Sequence, residues 1–444
     1  MSSHAAMAHL EVREVPLGSG VRREARLRVD GNGPLATWHY DIFGGESGPI
    51  TVLDGYIHSI LFYAMKLGLP LRVHGRVTET ALYNLDEFVR AWAQWRPQLY
   101  RYFEIFPDEV VTHTSAPLHR AISTFSGGVD ANFTLVRNKM RIGQGGHDIK
   151  SVLMIHGFDV DYDNNAAFRQ LVERVQPTLD EFGVDLKIIK TSSKLLDQDW
   201  EDSFGAQLSG CLHQFSGAYD TALIASSEPY TALVYPLGST PITDRLFSGG
   251  FMNIVHDGAQ FTRTAKVEYL ANFPSVVNRL KVCWEGSAQH ENCGVCEKCV
   301  RTRLNFMAVG KRDPGCFADP FDLHYIGKLK VRNAFQIGEL RTLLAYAKEK
   351  RIVEPWVDTL AQRLKLLGYR RRLIDGLERV GLREPVRQTL KFLDRLIQKE
   401  PRAPVPQASA PATSPPGLEL AWPSPPSTDA VAAFDPAKSR QIGH

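Results

Sequence analysis

The segment Arg120-Ala121-Ile122-Ser123-Thr124-Phe125-Ser126-Gly127-Gly128-Val129-Asp130-Ala131-Asn132-Phe133 decides the fold class of this 444-residue chain. Its apolar run 121–125 predicts a short buried strand that leads directly into a Ser-Gly-Gly turn. A helix is predicted to begin after the second glycine, because glycine lets the backbone turn sharply between two elements. A strand, a glycine turn and a helix in this order favour an α/β fold.

The same turn predicts a phosphate-binding loop. Gly127 and Gly128 let the backbone approach a ligand closely, and the N–H groups at the start of the following helix suit phosphate oxygens. The Ser126 hydroxyl can add a donor, and Asp130 is expected to stabilise the helix start or to help hold a metal ion. On its own a Ser-Gly-Gly sequence is more often an ordinary turn, and the α/β context favours the phosphate loop.

Strands alternate with helices through the central zone, residues 116–330. Beyond 121–125, strands are predicted at 152–156, 186–189 and 222–225, with helices at 165–182 and 201–215. Because these strands are apolar on both faces, helices should cover both sides of a parallel, doubly wound sheet. Ligands of such sheets bind beyond the carboxyl ends of the strands.

Three zones flank or follow this one. Residues 1–115 predict a small α+β domain, with antiparallel strands at 10–15 and 25–29 and helices at 54–67 and from Thr80. Residues 331–399 predict a helical region, and residues 400–444, rich in Pro, Ala and Ser, predict a disordered tail.

Four of the six cysteines form a cluster with metal-ligand spacing: Cys283, Cys293, Cys296 and Cys299. A two-residue spacer lets two thiolates converge on one ion, and a more distant cysteine completes the tetrahedron. The pattern predicts a structural Zn²⁺ site, because four protein ligands leave no open position. An iron–sulfur cluster is the chemical alternative. Lys298, Arg301 and Arg303 are expected to offset the negative charge of the thiolates.

The sequence Ser126-Gly127-Gly128-Val129-Asp130 resembles the signature of the PP-loop, or N-type, ATP pyrophosphatases. The resemblance implies a Rossmann-like sheet of the adenine-nucleotide alpha hydrolase (HUP) type, with ATP and Mg²⁺ as cofactors. It implies that this loop binds ATP, that Ser126 and Asp130 act in catalysis, and that ATP is cleaved to AMP and pyrophosphate. The family pattern ends in a second serine where this chain has Ala131, so either Asn132 substitutes for the missing hydroxyl or the loop binds pyrophosphate with lower affinity.

Two later segments fit the same resemblance. In the resembled fold the end of the second strand lies beside the adenine and ribose, so His156 and Asp159 are expected to contact the nucleotide. Polar residues at a solvated strand end are an equally good interpretation of this pair. The segment 236–241 follows the fourth strand and is expected to line the substrate side.

The glycine loop together with the cysteine cluster, over residues 116–310, resembles the 7-cyano-7-deazaguanine synthases. Those enzymes use ATP and ammonia to convert a carboxylate on a deazapurine to a nitrile, with zinc near the substrate pocket. The N-terminal zone, the C-terminal helices and Ala131 depart from a minimal synthase. We therefore expect a ligase or synthase that takes a different small-molecule substrate with ammonia or an amine as donor.

Bulk properties are ordinary for a globular protein. The net charge of +3 and 23% charged residues neither demand nor exclude nucleic acid. The most apolar stretch, 50–71, is broken by Asp54, His58 and Lys66 and predicts a buried helix, not a membrane span. Without an apolar leader at the N-terminus, the cytoplasm is the expected location, and a homodimer is compatible with this composition.

Two other functions stay open from the sequence. One is a tRNA-modifying enzyme of the thiolation type, which needs a redox cluster or reactive cysteine and an RNA-binding surface. A basic patch at Lys365, Tyr369, Arg370, Arg371, Arg372 and Arg379 fits RNA, although a solvated helix face is the favoured interpretation. The other is a pseudo-enzyme that binds nucleotide and acts as an interaction module.

Overall fold

The computed structural model describes residues 6–379 except 19, 44–46, 113–116, 143–145, 287 and 332, and gives only the backbone of 369–379. The described residues form ten strands: β1 (Ala8–Leu17), β2 (Gly20–Val29), β3 (Pro34–Phe43), β4 (Leu71–Thr78), β5 (Ile105–Val111), β6 (Ala121–Thr124), β7 (Ile149–His156), β8 (Asp185–Thr191), β9 (Thr221–Ala225) and β10 (Asn253–Asp257). They build one sheet in the order β10-β9-β6-β7-β8-β3-β2-β1-β4-β5.

The same residues form these helices: α1 (Asp54–Leu67), α2 (Glu79–Trp95), α3 (Val129–Lys139), α4 (Asn165–Glu181), α5 (Trp200–Leu212), α6 (Arg263–Leu270), α7 (Pro274–Val277), α8 (Glu297–Ala308), α9 (His324–Gly327), α10 (Ala334–Glu349) and α11 (Pro355–Arg379). Among these helices none is long and apolar enough to cross a lipid bilayer.

Five neighbouring strands, from β10 to β8, run parallel. From β6 the chain first adds β7 and β8 on one side, and then β9 and β10 on the other. Because crossovers between parallel strands are right-handed, this reversal places the connecting helices on opposite faces. The chain therefore has a Rossmann-like, doubly wound half-sheet, whose crevice lies at the carboxyl ends of β6 and its neighbour β9.

Two separate hydrophobic clusters flank the parallel strands, and α3, whose residues belong to the second cluster, also contacts β6, β7 and β9. Ile122, Leu153 and Ile224 are buried in one cluster with residues of α1, α2 and α5. Val129 and Phe133 of α3 are buried in another cluster with residues of α6 and α7. The predicted α/β class and the parallel central sheet are confirmed.

The N-terminal strands extend the same sheet. β1 and β2 pair antiparallel, as predicted. β3 lies between β2 and β8 of the parallel half and pairs antiparallel with both. β4 and β5 continue the sheet beyond β1 in parallel. The sheet thus runs across residue 115, the predicted end of the first domain. The apolar stretch 50–71 contains α1, a 14-residue helix with 11 buried residues.

The C-terminal helical region begins as predicted with α10 and α11. The predicted tail 400–444 and the end of the helical region beyond 379 lie outside the described residues.

Candidate functional site

A cavity of about 300 Å³ opens at the carboxyl ends of β6, β7 and β9. The glycine loop forms one side of it, with Ser126, Gly128, Val129, Asp130 and Ala131 in the wall. Its volume is that of a small-molecule site, and it lies where the strand order of a doubly wound sheet reverses.

The loop backbone is shaped to present N–H groups to this cavity. Gly127 has φ +75°, a left-handed conformation that favours glycine. Gly128 is the N-cap of α3 and caps it with no side-chain hydrogen bond, so the N–H groups of the first turn keep no partner within the helix. The Gly128 N–H donates to Ser126 Oγ at 3.4 Å. This arrangement can accept an anion, because the helix dipole adds positive potential at the same point.

Asp130 faces two buried cations. Its Oδ2 accepts from Nη1 of Arg263 at 2.6 Å, and its Oδ1 accepts from Nζ of Lys266 at 3.0 Å. Burial opposes ionisation of the carboxyl, but the charges of Lys266 and Arg263 outweigh it and hold the pKa of Asp130 at about 2. Since both carboxylate oxygens are engaged, the expected metal-holding role of Asp130 finds no support in the structure.

Four cationic side chains line the cavity, and three of them are already paired within the protein. Arg263 binds Asp130, and Lys281 donates through Nζ to the carbonyl oxygen of Cys283. Arg301 lies 2.7 Å from both Glu297 and Glu339, all three being buried.

Lys298 is the exception. Its Nζ lies 4.3 Å from the centre of the Trp284 ring, and no carboxylate among the described residues lies within 4 Å of it. Burial lowers the pKa of the Lys298 ammonium, while the nearby Asp159 carboxylate raises it. Among the lining cations, Lys298 is therefore the one whose charged group has no hydrogen-bond or ion-pair partner within the described part of the chain.

The rest of the wall is largely aromatic and aliphatic. Phe158 packs edge-on against Trp200 with ring centres 5.0 Å apart, and Phe204, Leu208 and Leu237 extend the apolar surface. A second organic group can therefore lie beside the loop without exposing apolar surface to water.

The four clustered cysteines converge on one point. Their Sγ atoms all lie within 4.8 Å of one another, with Cys283–Cys296 at 3.8 Å and Cys293–Cys299 at 3.9 Å. A tetrahedral ion with metal–sulfur bonds of about 2.3 Å separates its thiolates by about 3.8 Å, so the residues fit one such ion. A cubic iron–sulfur cluster would spread the four thiolates further, because each binds a different iron atom. The cluster can thus bind a metal ion such as zinc.

Local structure brings these cysteines together. Gly294 has φ +75° and turns the chain between Cys293 and Cys296, whose N–H lies 3.3 Å from the Cys293 Sγ. Cys296 is the N-cap of α8, and Cys299 lies in its first turn. The positive end of α8 therefore stabilises the thiolates. Of the three expected compensating cations, Arg301 is instead occupied by Glu297 and Glu339.

Two expected nucleotide contacts lie outside the cavity wall. His156 is fully buried, its ring stacks on Phe168 at 4.6 Å, and its Nε2 lies 3.0 Å from the Asp161 carbonyl oxygen. Burial lowers the pKa of His156 to about 4, so it is a neutral core residue. Asn132 donates to the carbonyl oxygen of Gly128 within its own helix at 2.9 Å, so it does not substitute for the missing serine hydroxyl.

Asp159 and part of the segment 236–241 do line the cavity. Asp159 is exposed and lines the cavity, as expected. Leu237 also lines it, but Ser239 Oγ and Thr240 N–H donate to the buried carboxylate of Asp244. The polar atoms of that segment therefore serve its own fold.

Sequence reasoning missed several wall residues. Arg263 lines the wall, and Lys266 lies behind it on Asp130; this pair carries a usable signal, since cations three residues apart share one helix face. Asn333 and Phe335 come from the start of α10, and the Nδ2 of Asn333 donates to Glu201 at 3.1 Å beside the cavity. No local pattern connects these residues to the loop, because they are about 200 residues away in sequence.

Comparison of the chain with protein-family models, curated proteins and solved structures found no match. The functional assignment therefore depends on the residues and geometry of this site.

Proposed function

We propose that this chain is an ATP-dependent adenylating ligase or synthase of the PP-loop type, which cleaves ATP to AMP and pyrophosphate. The observation that carries the proposal is the loop 126–130, whose uncapped helix start opens into a cavity at the strand-order reversal. Nucleotide-binding α/β proteins bind phosphates at such a loop, at the same position in the sheet.

The loop would hold the phosphate groups of ATP. The Ser126 hydroxyl and the first-turn N–H groups of α3 supply donors at this wall. Fixed donors of this kind stabilise charge that develops on phosphate oxygens, without reorganisation during the reaction.

The reaction would proceed in two displacements. A carboxylate or amide oxygen of the substrate attacks the α-phosphorus, and the bond to the β-phosphate breaks to release pyrophosphate. Ammonia or an amine then attacks the activated carbon, loses a proton to solvent, and displaces AMP. Lys298 is placed to hold an anionic group of either reactant, and the apolar wall excludes water that would hydrolyse the adenylate.

Two metal ions belong to this proposal. Mg²⁺ would bind with the phosphates and neutralise their charge, and the exposed wall carboxylates Asp159 and Glu201 are its candidate ligands; Glu201 already accepts from Asn333, which favours Asp159. Zn²⁺ would occupy the four-cysteine site in a structural role, held by Cys283, Cys293, Cys296 and Cys299.

The test is a pyrophosphate-release assay on the purified full-length chain with Mg²⁺, ATP, ammonia and a panel of small carboxylic acids and amides. ATP binding is measured separately by calorimetry. We expect ATP binding without any acid, and AMP and pyrophosphate in equal amounts with the correct one. Failure to bind ATP would overturn the proposal.

A nucleotide-binding module without catalysis is the second candidate, and Ala131 is the observation that favours it. Ala131 lies in the cavity wall and offers no side-chain donor there, and the amide of the neighbouring Asn132 donates to Gly128. This candidate expects ATP binding without pyrophosphate release under every substrate condition.

A further inference from the structure

The segment 280–283 connects the four-cysteine site to the glycine loop. It belongs to no strand, so its backbone groups have no sheet partners and must be satisfied individually. The Lys281 N–H donates to the carbonyl oxygen of Gly127 at 2.9 Å, and Cys283, two residues later, is one of the four clustered cysteines.

The side chain of Asn292 bonds three of the remaining groups. The Oδ1 of Asn292 accepts from the N–H groups of Val282 and Cys283 at 2.8 and 3.1 Å. Its Nδ2 donates to the carbonyl oxygens of Leu280 and Cys316 at 2.8 and 2.9 Å. Three of these four hydrogen bonds hold the segment, and the fourth ties it to Cys316. Arg174 also donates to the carbonyl oxygens of Leu280 and Cys316, at 3.1 and 3.4 Å, so the two N–H groups are the contacts that Asn292 alone provides among the described residues.

Asn292 is itself positioned by the cysteine cluster. It immediately precedes Cys293 and bonds the N–H of Cys283. An ion bound by both cysteines would therefore hold Asn292 next to the segment 280–283. The contact on the loop side is close as well. A Cβ built on Gly127 would lie 3.5 Å from the Cβ of Lys281, so the segment lies directly against the loop.

We infer that Asn292 is a positioning residue that transmits the geometry of the metal site to the phosphate-binding loop. The metal fixes Cys283 and Cys293, Asn292 fixes the segment between Leu280 and Cys283, and the Lys281 N–H fixes the Gly127 carbonyl. Gly128, which follows that carbonyl, is the N-cap of α3 and lines the cavity, so the fixed carbonyl sets the position of the helix start. The role of the loop as an ATP site rests on the proposed function, but the mechanical link does not.

The test compares the wild-type protein with Asn292→Ala in hydrogen exchange of residues 121–135 and in calorimetric titration with Mg·ATP. Metal content and thermal unfolding are measured on the same samples. We expect Asn292→Ala to retain its metal and to fold as the wild-type protein does. Its amides at 126–130 should exchange about tenfold faster, and its affinity for ATP should be about tenfold lower. Asn292→Asp keeps the two accepted bonds and should fall between the two proteins.

Asn272→Ala is the matched control, because Asn272 is exposed and its amide donates only to carbonyls of its own helix end. It should behave as wild type. Wild-type exchange of the loop in Asn292→Ala, or in wild-type protein stripped of metal, would overturn the inference. If wild-type protein does not bind ATP, the proposed function fails while the exchange measurement still decides this one.

Discussion

Asp130 Oδ2 lies 2.6 Å from Arg263 Nη1, although the two residues are 133 positions apart in sequence. Lys266, one turn further along α6, binds the other carboxylate oxygen at 3.0 Å. The glycine loop is therefore anchored to α6 by a carboxylate between two buried cations.

Asp130→Asn should destabilise the protein because it leaves Arg263 and Lys266 buried without a counter-charge. We expect the free energy of unfolding to fall by about 3 kcal/mol and ATP binding to be lost. Chemical denaturation and calorimetry measure the two effects. Asp148→Asn removes an exposed carboxylate paired with Lys150 and should cost less than about 1 kcal/mol. Equal losses in both variants would contradict the anchoring role.

The four-cysteine site should contain one zinc ion per chain. Elemental analysis of protein purified without added metal tests this, and Cys299→Ser should lose the ion and most of the stability, because removing a ligand opens the tetrahedron. Cys211→Ala is the control, since Cys211 is buried away from the cluster and should leave the metal content unchanged. Iron with labile sulfide would instead favour the tRNA-thiolation alternative.

The sequence alone predicts the local features of this site but not its long-range contacts. The apolar run before Ser126 and the two glycines predict the strand, the turn and the helix start, because those depend on neighbours in sequence. The contact of Asp130 with Arg263 depends on how α6 packs against α3, which no local pattern encodes. The family resemblance predicts His156 at the nucleotide, but in the structure its ring is buried and stacks on Phe168.

Glu228 should make stability depend on pH. It is 2% exposed, its Oε1 has no hydrogen-bond partner among the described residues, and burial raises its pKa from 4.5 to about 7. The folded protein therefore disfavours the charged form of Glu228. The contribution of the neutral carboxyl to the free energy of unfolding is fully present below pH 4.5 and is lost as the pH rises to about 7.

Glu228→Gln removes that ionisation and keeps an acceptor for the Val234 N–H. We expect it to raise the free energy of unfolding at pH 8 by about 2 kcal/mol and to change it little at pH 4. The exposed Glu181→Gln control should show no such difference between the two pH values. A benefit at pH 4 equal to that at pH 8 would show that ionisation of Glu228 does not destabilise the fold.

Lys298→Met should separate function from stability. Since the ammonium is partly buried without a carboxylate partner, its removal should leave the free energy of unfolding equal or slightly higher. The same change should lower kcat/KM for pyrophosphate release about tenfold, because a charge-assisted contact to the anionic reactant is lost. Lys298→Arg should restore part of the activity, whereas the exposed Lys150→Met should change neither quantity. Unchanged kinetics in Lys298→Met would remove this residue from the site.

Ala131→Ser is the change that distinguishes a weakened enzyme from a binding module. Ala131 lies in the cavity wall in the first turn of α3, so a serine hydroxyl there can donate to a phosphate oxygen bound by the loop. If the chain is an adenylating enzyme, we expect tighter ATP binding and severalfold faster pyrophosphate release, because one neutral hydrogen bond contributes about 1 kcal/mol. Ala259→Ser, a buried position outside the cavity wall, is the control for the general effect of adding a hydroxyl. Tighter ATP binding without pyrophosphate release, across the full panel of acids and amides, would favour the non-catalytic module. The loop would then bind ATP in a site that lacks the groups needed to cleave it.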